Sequence, residues 1–238
     1  MTFFRVVPER LRQAEIMDGP GLDECRHSQA LRGLARLNVL SRVVPSVWQP
    51  ILRLARCRRL DRLRVLDIAT GAGDLPLGLW QKARRRGVTL DIHGVDINPH
   101  AVALAASQAA LAGAAIEFSV LDVLAQDLPK AFDVVTSSLF FHHIDEDQAV
   151  RLLQKMAAVA RHLVLVSDLR RSPVGLVMAF LATRLFTRSD VVRTDALRSV
   201  RSGFTMEEAI ALAERAGLPD AAVTPCWPCR FLLAWERP

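Results

Sequence analysis

The sequence predicts an α/β fold: a mostly parallel sheet with helices packed on both faces. Three observations carry that prediction. Five short apolar runs between Val65 and Ser167 alternate with stretches of helical character, the pattern of a doubly wound parallel sheet. The first run breaks into Gly71 and Gly73 before a helix opens, which reads as strand, tight turn, helix. Two further strand-like runs, Ala221–Cys226 and Arg230–Trp235, meet around Trp227 and Pro228 and read as a terminal hairpin.

At 238 residues the chain can hold one domain with an appendage and a sizeable core. Hydrophobic residues make up 51%, yet no run approaches the ~20 residues of a membrane span, and the longest, Val174–Ala182, is too short. The amino terminus meets Arg5, Pro8 and Glu9 before any apolar segment builds, unlike a secretory signal, so a cytoplasmic location is expected. The net charge of +6 is carried by arginine, since only Lys82, Lys130 and Lys155 are lysine. The arginines are scattered without interleaved aromatics and read as solvated surface, the densest cluster, Arg53–Arg64, as an exposed helix face; no nucleic-acid partner is expected. Cys25, Cys57, Cys226 and Cys229 form no zinc pattern. The close pair, Cys226 and Cys229, falls between two strands rather than at a helix start, which reads as reduced thiols near a hairpin turn, and no metal site is expected.

Residues 1–60 are expected to form a helical cap ahead of a domain at 61–238. From residue 9 the cap reads as helices broken at Gly19-Pro20-Gly21 and around Pro45 and Pro50. Leu31, Leu34, Leu37, Val39 and Leu40 share a face, and Arg32 and Asn38 are candidate polar contacts. The core strands are predicted at Val65–Ala69, Leu90–Val95, Ile116–Val120, Asp133–Ser137 and Leu163–Ser167, with helices at Leu75–Arg86, Pro99–Ala112 and Asp145–Ala160. Asp145 is the N-cap of the last helix and Gln148 completes its capping box. From Leu169 to Phe204 the alternation stops. This insertion carries an apolar helix-like run, Val174–Phe186, and then an Arg- and Ser-rich tail, and it is long enough to act as a lid. Thr205 then caps a helix, with Glu208 completing the box and Gly217 ending it.

The candidate site begins at RVLDIATGAGDLP, Arg64–Pro76. Glycines let the backbone take positive φ and approach a ligand closely. Asp67, inside an apolar run, needs a partner, either loop N–H groups or a ligand ammonium. Pro76 stands where a dinucleotide fingerprint has its third glycine, which argues against an NAD(P)-dependent reductase. The D-x-x-x-G-x-G order, Asp67 through Gly71 to Gly73, resembles the first motif of class I S-adenosylmethionine (SAM) dependent methyltransferases. That resemblance implies a Rossmann-like seven-stranded sheet, five parallel strands followed by an antiparallel hairpin, and SAM as cofactor held by Asp67, Ala69, Gly71 and Gly73.

Asp96, in GVDINP, lies some 20 to 25 residues beyond the loop and can accept both hydroxyls of a ribose, with Ile97 on the adenine face; taken alone it could cap the helix begun by Pro99. Asp122 stands after the third strand, where the family holds the adenine amino group, and Val123 would offer its N–H to the ring; the alternative is a turn aspartate. Ser137 and Ser138 end the central fourth strand, the edge at which open α/β sheets bind ligands. The N-P-P-Y-like sequence of nucleic-acid N-methyltransferases is absent there. The segment resembles small-molecule methyltransferases, among which the plant-type phenolic O-methyltransferases place a general-base histidine at this point. By that match His142 is the candidate base, with His143 beside it, and an imidazole of ordinary pKa about 6.5 suits a phenol or enol hydroxyl. His27, His93, His100 and His162 read as structural. Asp168 ends the fifth strand and either orients a substrate hydroxyl or His142, or pairs with Arg171 to brace the lid.

The glycine loop also resembles that of quinone-ring C-methyltransferases. The resemblance implies a SAM-dependent methyltransferase of secondary metabolism acting on a small hydroxylated, aromatic or polyketide-like acceptor, with O-methylation ahead of C-methylation of a quinone or polyketide ring. An RNA methyltransferase and a non-catalytic SAM-binding protein are the rivals. The acceptor pocket is expected between Ser138, His142, Asp168, the lid and the cap, lined by Leu139, Phe140, Val177, Phe180 and Leu181. A short helical segment, where the plant-type enzymes have a long dimerising domain, leaves monomer and homodimer both open.

Overall fold

The computed structural model describes residues 9–13, 15–16, 43–187 and 189–238, without the side chain of Phe186. Its strands are β1 (Arg62–Ile68), β2 (Thr89–Asp96), β3 (Ile116–Val120), β4 (Phe132–Ser138), β5 (Ala160–Leu169), β6 (Ala222–Cys226) and β7 (Arg230–Glu236). Its helices are α1 (Val43–Arg58), α2 (Asp74–Arg84), α3 (Pro99–Leu111), α4 (Glu146–Val159), α5 (Pro173–Phe186), α6 (Asp190–Ser202) and α7 (Met206–Arg215). The seven strands form one sheet in the order β3-β2-β1-β4-β5-β7-β6. β1 to β5 run parallel, as the alternation predicts, and β7 inserts antiparallel between β5 and β6, as the methyltransferase resemblance implies.

Alternating strand residues feed two cores. Leu66, Ile68, Val164 and Val166 face one side, against Leu153 and Met156 of α4 and Leu212 of α7. Leu63, Val65, Leu163 and Leu165 face the other, against Val47 and Ile51 of α1 and Leu79 of α2. Burying each such side chain stabilises the fold by about 1.5–3 kcal/mol. α1 lies within the segment expected as a cap but supplies one of these core layers.

Several expectations need correction. Pro45 and Pro50 do not break α1, which runs through both. An interior proline costs about 3 kcal/mol, and the burial of Val47, Trp48, Ile51, Leu52, Leu54 and Ala55 on this one helix exceeds that. The Arg- and Ser-rich tail of the insertion is a second helix, α6, capped by the Ser189 hydroxyl and buried through Val191, Val192 and Val200. Residues 9–13 are not helical. They lie as a strap along the end of α6, where Leu11 N–H donates to Arg201 O at 3.2 Å and Arg10 Nε to Ser202 O at 2.7 Å, satisfying carbonyls that a helix end leaves open. The Arg10 guanidinium also stacks 3.7 Å from the centre of the Phe204 ring and reaches Ile144 O at 2.7 Å. Gly19-Pro20-Gly21, Cys25, His27, Leu31, Arg32, Leu34, Leu37, Asn38, Val39 and Leu40 lie outside the described residues.

Both capping boxes form as the sequence predicts, Asp145 with Gln148 and Thr205 with Glu208. The turn after β1 uses its two glycines differently. Gly73 sits at φ +83 as the N-cap of α2, and a Cβ on it would meet Ala105 Cβ at 3.0 Å and the Phe118 ring at 3.2 Å. Gly71, at φ +55, has open space where its Cβ would be. We expect Gly71→Ala to cost about 1–2 kcal/mol, the left-handed backbone alone, and Gly73→Ala about 2–4 kcal/mol, because overpacking adds to it. Urea denaturation of the two variants measures the difference, and equal losses would contradict this account.

Candidate active site

The carboxyl ends of β1, β2, β4 and β5 gather the polar residues. Asp67, in β1, is 1% exposed, and its carboxylate accepts from the Thr70 and Thr136 hydroxyls at 2.8 and 2.7 Å. Its partners are therefore two hydroxyls, rather than the loop N–H groups that are one of the two alternatives the sequence leaves open. Burial pushes its pKa up to about 6 against the pull of those two hydrogen bonds. The loop is closed by Thr70 N–H on Val95 O and Gly73 N–H on Thr70 O, both at 3.0 Å, with Ala69 at φ +54.

Asp96, at the end of β2, accepts from Gly71 N–H at 2.8 Å on one oxygen and from Asn98 N–H at 2.9 Å on the other. Asn98, not Asp96, caps α3. Each Asp96 oxygen keeps a further lone pair, and Ile97 beside it is exposed. β2 and β3 pair Asp96 with Val120, so Asp122 lies at the same edge. Its Oδ1 accepts from Leu124 and Ala125 N–H at 2.9 and 3.1 Å, the turn-aspartate arrangement. The Val123 side chain is buried in the core, while its carbonyl accepts from Lys155 Nζ at 3.1 Å.

Ser137 is completely buried, and its hydroxyl has no partner among the described residues. Ser138 is half-buried and pairs in register with Ser167. Beyond it the chain turns through Leu139 at φ +55 into a single 3-10 turn, Phe141–His143. His142 is buried there. Its Nδ1 lies 2.6 Å from Asp168 Oδ1, and its Nε2 lies 3.8 Å from a carboxylate oxygen of Glu15 on the strap. Burial opposes charge on the ring, but the Asp168 carboxylate, the bond to it and Glu15 together hold His142 above its ordinary value. Burial likewise opposes charge on Asp168, and the His142 ring and the Arg230 guanidinium overcome it, holding the carboxyl down at about 2. Arg171 pairs with Glu208 and donates to Gly203 O at 2.7 Å, so of the two partners weighed for Asp168 it meets His142.

His143 turns outward, its ring centre 4.1 Å from that of His142. Partial burial and the neighbouring imidazole hold it below its ordinary value. Glu15, His142 and His143 bring one ligand-type atom each within 4.8 Å of one another. The chemistry of the group is that of an imidazole set between two carboxylates, one bonded and one at 3.8 Å. Val177, Phe180 and Leu181, expected to line an acceptor pocket, instead face solvent on α5. The thiols of Cys226 and Cys229 are unbridged at the β6–β7 turn, and burial raises both.

Sequence reasoning missed Thr70, Thr136, Glu15 and Arg230. Thr70 had a signal, a hydroxyl three residues from the acid in an apolar strand; Thr136, Glu15 and Arg230 had none, because the sheet and the strap bring them in from distant parts of the chain.

Residues 65–162 match the family described as a methyltransferase domain. The sheet order and the antiparallel β7 agree with that match. This is the class I methyltransferase fold. The release factor glutamine methyltransferase of Deinococcus radiodurans is 36% identical over 91 residues, 38% of this chain and 31% of that protein. The demethylmenaquinone methyltransferase of Thermus thermophilus is 34% identical over 105 residues, 43% of this chain and 46% of that protein. The chain thus spans less than half the length of either curated relative. Among solved structures, the S-adenosylmethionine-dependent methyltransferase SibL in its apo form has the same fold, with a TM-score of 0.68 over 98% of this chain and 64% of that one at 21% identity.

Within this methyltransferase fold, Asp67 makes a testable contribution to stability. Its folded-state pKa of about 6 lies above the ordinary 3.8, so the stability it lends in its protonated form is present below the ordinary value and is lost as pH rises through about 6. Asp67→Asn keeps a hydrogen-bonding group between the two threonines and does not ionise. We expect the variant to exceed the wild type in unfolding free energy from urea denaturation at pH 8, by on the order of 2–3 kcal/mol, with the gap closing towards pH 4. A gap that stays constant with pH would contradict it.

Proposed function

We propose that this chain transfers the methyl group of SAM to an oxygen of a small hydroxylated acceptor, aromatic or polyketide-like. The observation that carries the reading is the buried His142–Asp168 pair, 2.6 Å between Nδ1 and Oδ1, at the same sheet edge as the glycine loop and Asp96. The residues present fit the cofactor. Gly71 leaves an open cradle, and Asp96, already fixed by the Gly71 N–H, has lone pairs left for two ribose hydroxyls. Ile97 offers an exposed apolar face to adenine, with Asp122 and the Val123 backbone at its rim. Asp67, Ala69, Gly73 and Ser138 would hold the methionine end, and Ser137, whose hydroxyl is enclosed, would contribute through its backbone.

When bound, SAM supplies a methyl group on a sulfonium that departs as a neutral thioether. The protein has to align the acceptor and take its proton. Asp168 accepts a hydrogen bond from Nδ1–H and so fixes the tautomer in which His142 Nε2 carries the free lone pair. Nε2 then takes the hydroxyl proton, and Asp168 on one side and Glu15 on the other stabilise the imidazolium that results. Asp168 is a positioning residue, and His143 flanks the base. In this reading the N-terminal residues act as a cap and 169–204 as a lid. The strap supports it, since Arg12 donates to His143 O at 3.0 Å and Ile16 N–H to Asp195 on α6 at 2.8 Å.

The match to a demethylmenaquinone methyltransferase favours a second reading, methylation of a quinone-ring carbon, in which His142 would take the enol proton instead.

Isothermal titration is expected to show SAM binding that Asp96→Ala weakens at least tenfold; absence of binding to the wild type removes the cofactor assignment. With a panel of phenols, His142→Ala should lower kcat by about 10²–10⁴ while SAM still binds. Because the charged ring is stabilised, the rate should rise with pH around a midpoint above the ordinary imidazole value. Asp168→Asn should move that midpoint down, and a pH-independent rate in the wild type would rule out His142 as the base.

A further inference from the structure

The α5–α6 hairpin carries two features that proton transfer at His142 does not use. On α5, Val174, Val177, Leu181 and Leu185 recur at three- and four-residue spacing, and each is more than half exposed. Phe180 borders the same stripe. Scattered surface hydrophobics are ordinary, but a continuous helical stripe of five marks an interaction surface. The second feature is a cavity of about 340 Å³ between α5 and α6, lined by Arg184, Arg193, Arg198 and Arg201 with Phe180 and Leu197; Arg198 pairs with Asp195 at 3.7 Å, so one of the four charges is met within α6. The two features meet where the Arg184 guanidinium lies 3.8 Å from the centre of the Phe180 ring. The β6–β7 turn adds exposed Trp227, and Cys229 Sγ at 3.3 Å from Met178 Sδ holds that turn against α5.

We propose that this hairpin docks on an anionic bilayer surface, with the α5 stripe in the acyl boundary and lipid phosphates in the arginine cavity. The charge pattern selects this occupant. A second copy would suit the stripe, but a two-fold contact would bring the same arginines towards one another. An RNA would suit the arginines and leave the stripe in water. A lipid interface takes both at once: apolar residues and tryptophan insert to the headgroup level while arginines pair with phosphate. The 14 residues of α5 span about 21 Å, too short to cross the hydrocarbon core and suited to lying in its surface. The inference stands apart from methyl transfer and does not require it.

Co-sedimentation of the full chain with extruded vesicles tests the proposal. Vesicles of phosphatidylglycerol and phosphatidylcholine should bind at least tenfold more protein than phosphatidylcholine alone, and rising salt should weaken the binding. Leu185→Glu and Arg201→Glu, both at exposed positions, should each reduce it at least fivefold with unchanged circular dichroism; Leu181→Gln serves as the second apolar variant if Leu185→Glu alters the spectrum. No binding to either vesicle, or equal binding to both, overturns the proposal. Without vesicle binding, three other results overturn it too: a doubled mass in light scattering abolished by Leu185→Glu, RNA retention on filters abolished by Arg201→Glu, or inorganic phosphate binding abolished by Arg201→Glu.

Discussion

The site depends on one buried carboxylate. Asp168, at the end of β5, accepts from Phe140 and Phe141 N–H on one oxygen, at 3.0 and 2.6 Å, and from Leu169 N–H and His142 Nδ1 on the other, both at 2.6 Å. Removing such a charge from water costs several kcal/mol, and only a full set of donors offsets that. The donors come from the chain leaving β4 and from β5 itself, so satisfying the charge also fixes the 3-10 turn that carries His142. Arg230 adds a guanidinium from β7, its NH2 group donating to Ser167 O at 2.8 Å. The antiparallel insertion of β7 therefore does more than close the sheet: it sets a positive charge behind Asp168.

Two aspartates with equal burial are driven in opposite directions. Asp67 and Asp168 are each 1% exposed, yet one is held near 6 and the other near 2. Burial acts alike on both, so the difference lies in their partners. Asp67 meets two neutral hydroxyls, which cannot repay the loss of water. Asp168 meets backbone N–H groups, an imidazole and a nearby guanidinium, which can. One strand end thus holds a carboxyl that responds to pH near neutrality, and another holds a permanent anion. An imidazole that must keep one tautomer needs the second kind as its neighbour.

What the sequence disclosed was what is local. The glycine turn, the capping boxes at Asp145 and Thr205, and the run of strands from β1 to β5 are encoded within a few residues of one another, and they stand where the pattern put them. Pro50 misled because its local cost was visible and the tertiary burial of α1 was not. The tail of the insertion misled for the same reason, its arginines concealing Val191, Val192 and Val200 on the inner face of α6. Asp168 had two partners in prospect, and geometry separated them only once Glu208, on a different helix, had engaged Arg171. Glu15 was invisible, since contacts between the strap and the His142 turn span more than a hundred residues, as in the 134 between Arg10 and Ile144.

The arginines, uniform in composition, divide by burial into two kinds. Arg10, Arg171 and Arg230 are drawn into the structure, where a planar fork of donors satisfies several carbonyls or carboxylates at once, a task a lysine ammonium performs less well. Arg171 is placed with particular effect. It stands at the start of the insertion and donates to Gly203 O at its end, while its own N–H reaches Phe204 O at 3.0 Å and Arg170 bridges to Phe204. Both ends of the α5–α6 hairpin are thereby fixed at one point of the sheet, and the entropic cost of closing it rises only slowly with the length of the hairpin between them. The hairpin can then carry a surface chosen for its own contacts, apolar on α5 and basic along α6, while the His142 turn beneath it keeps a geometry set by β4, β5 and β7.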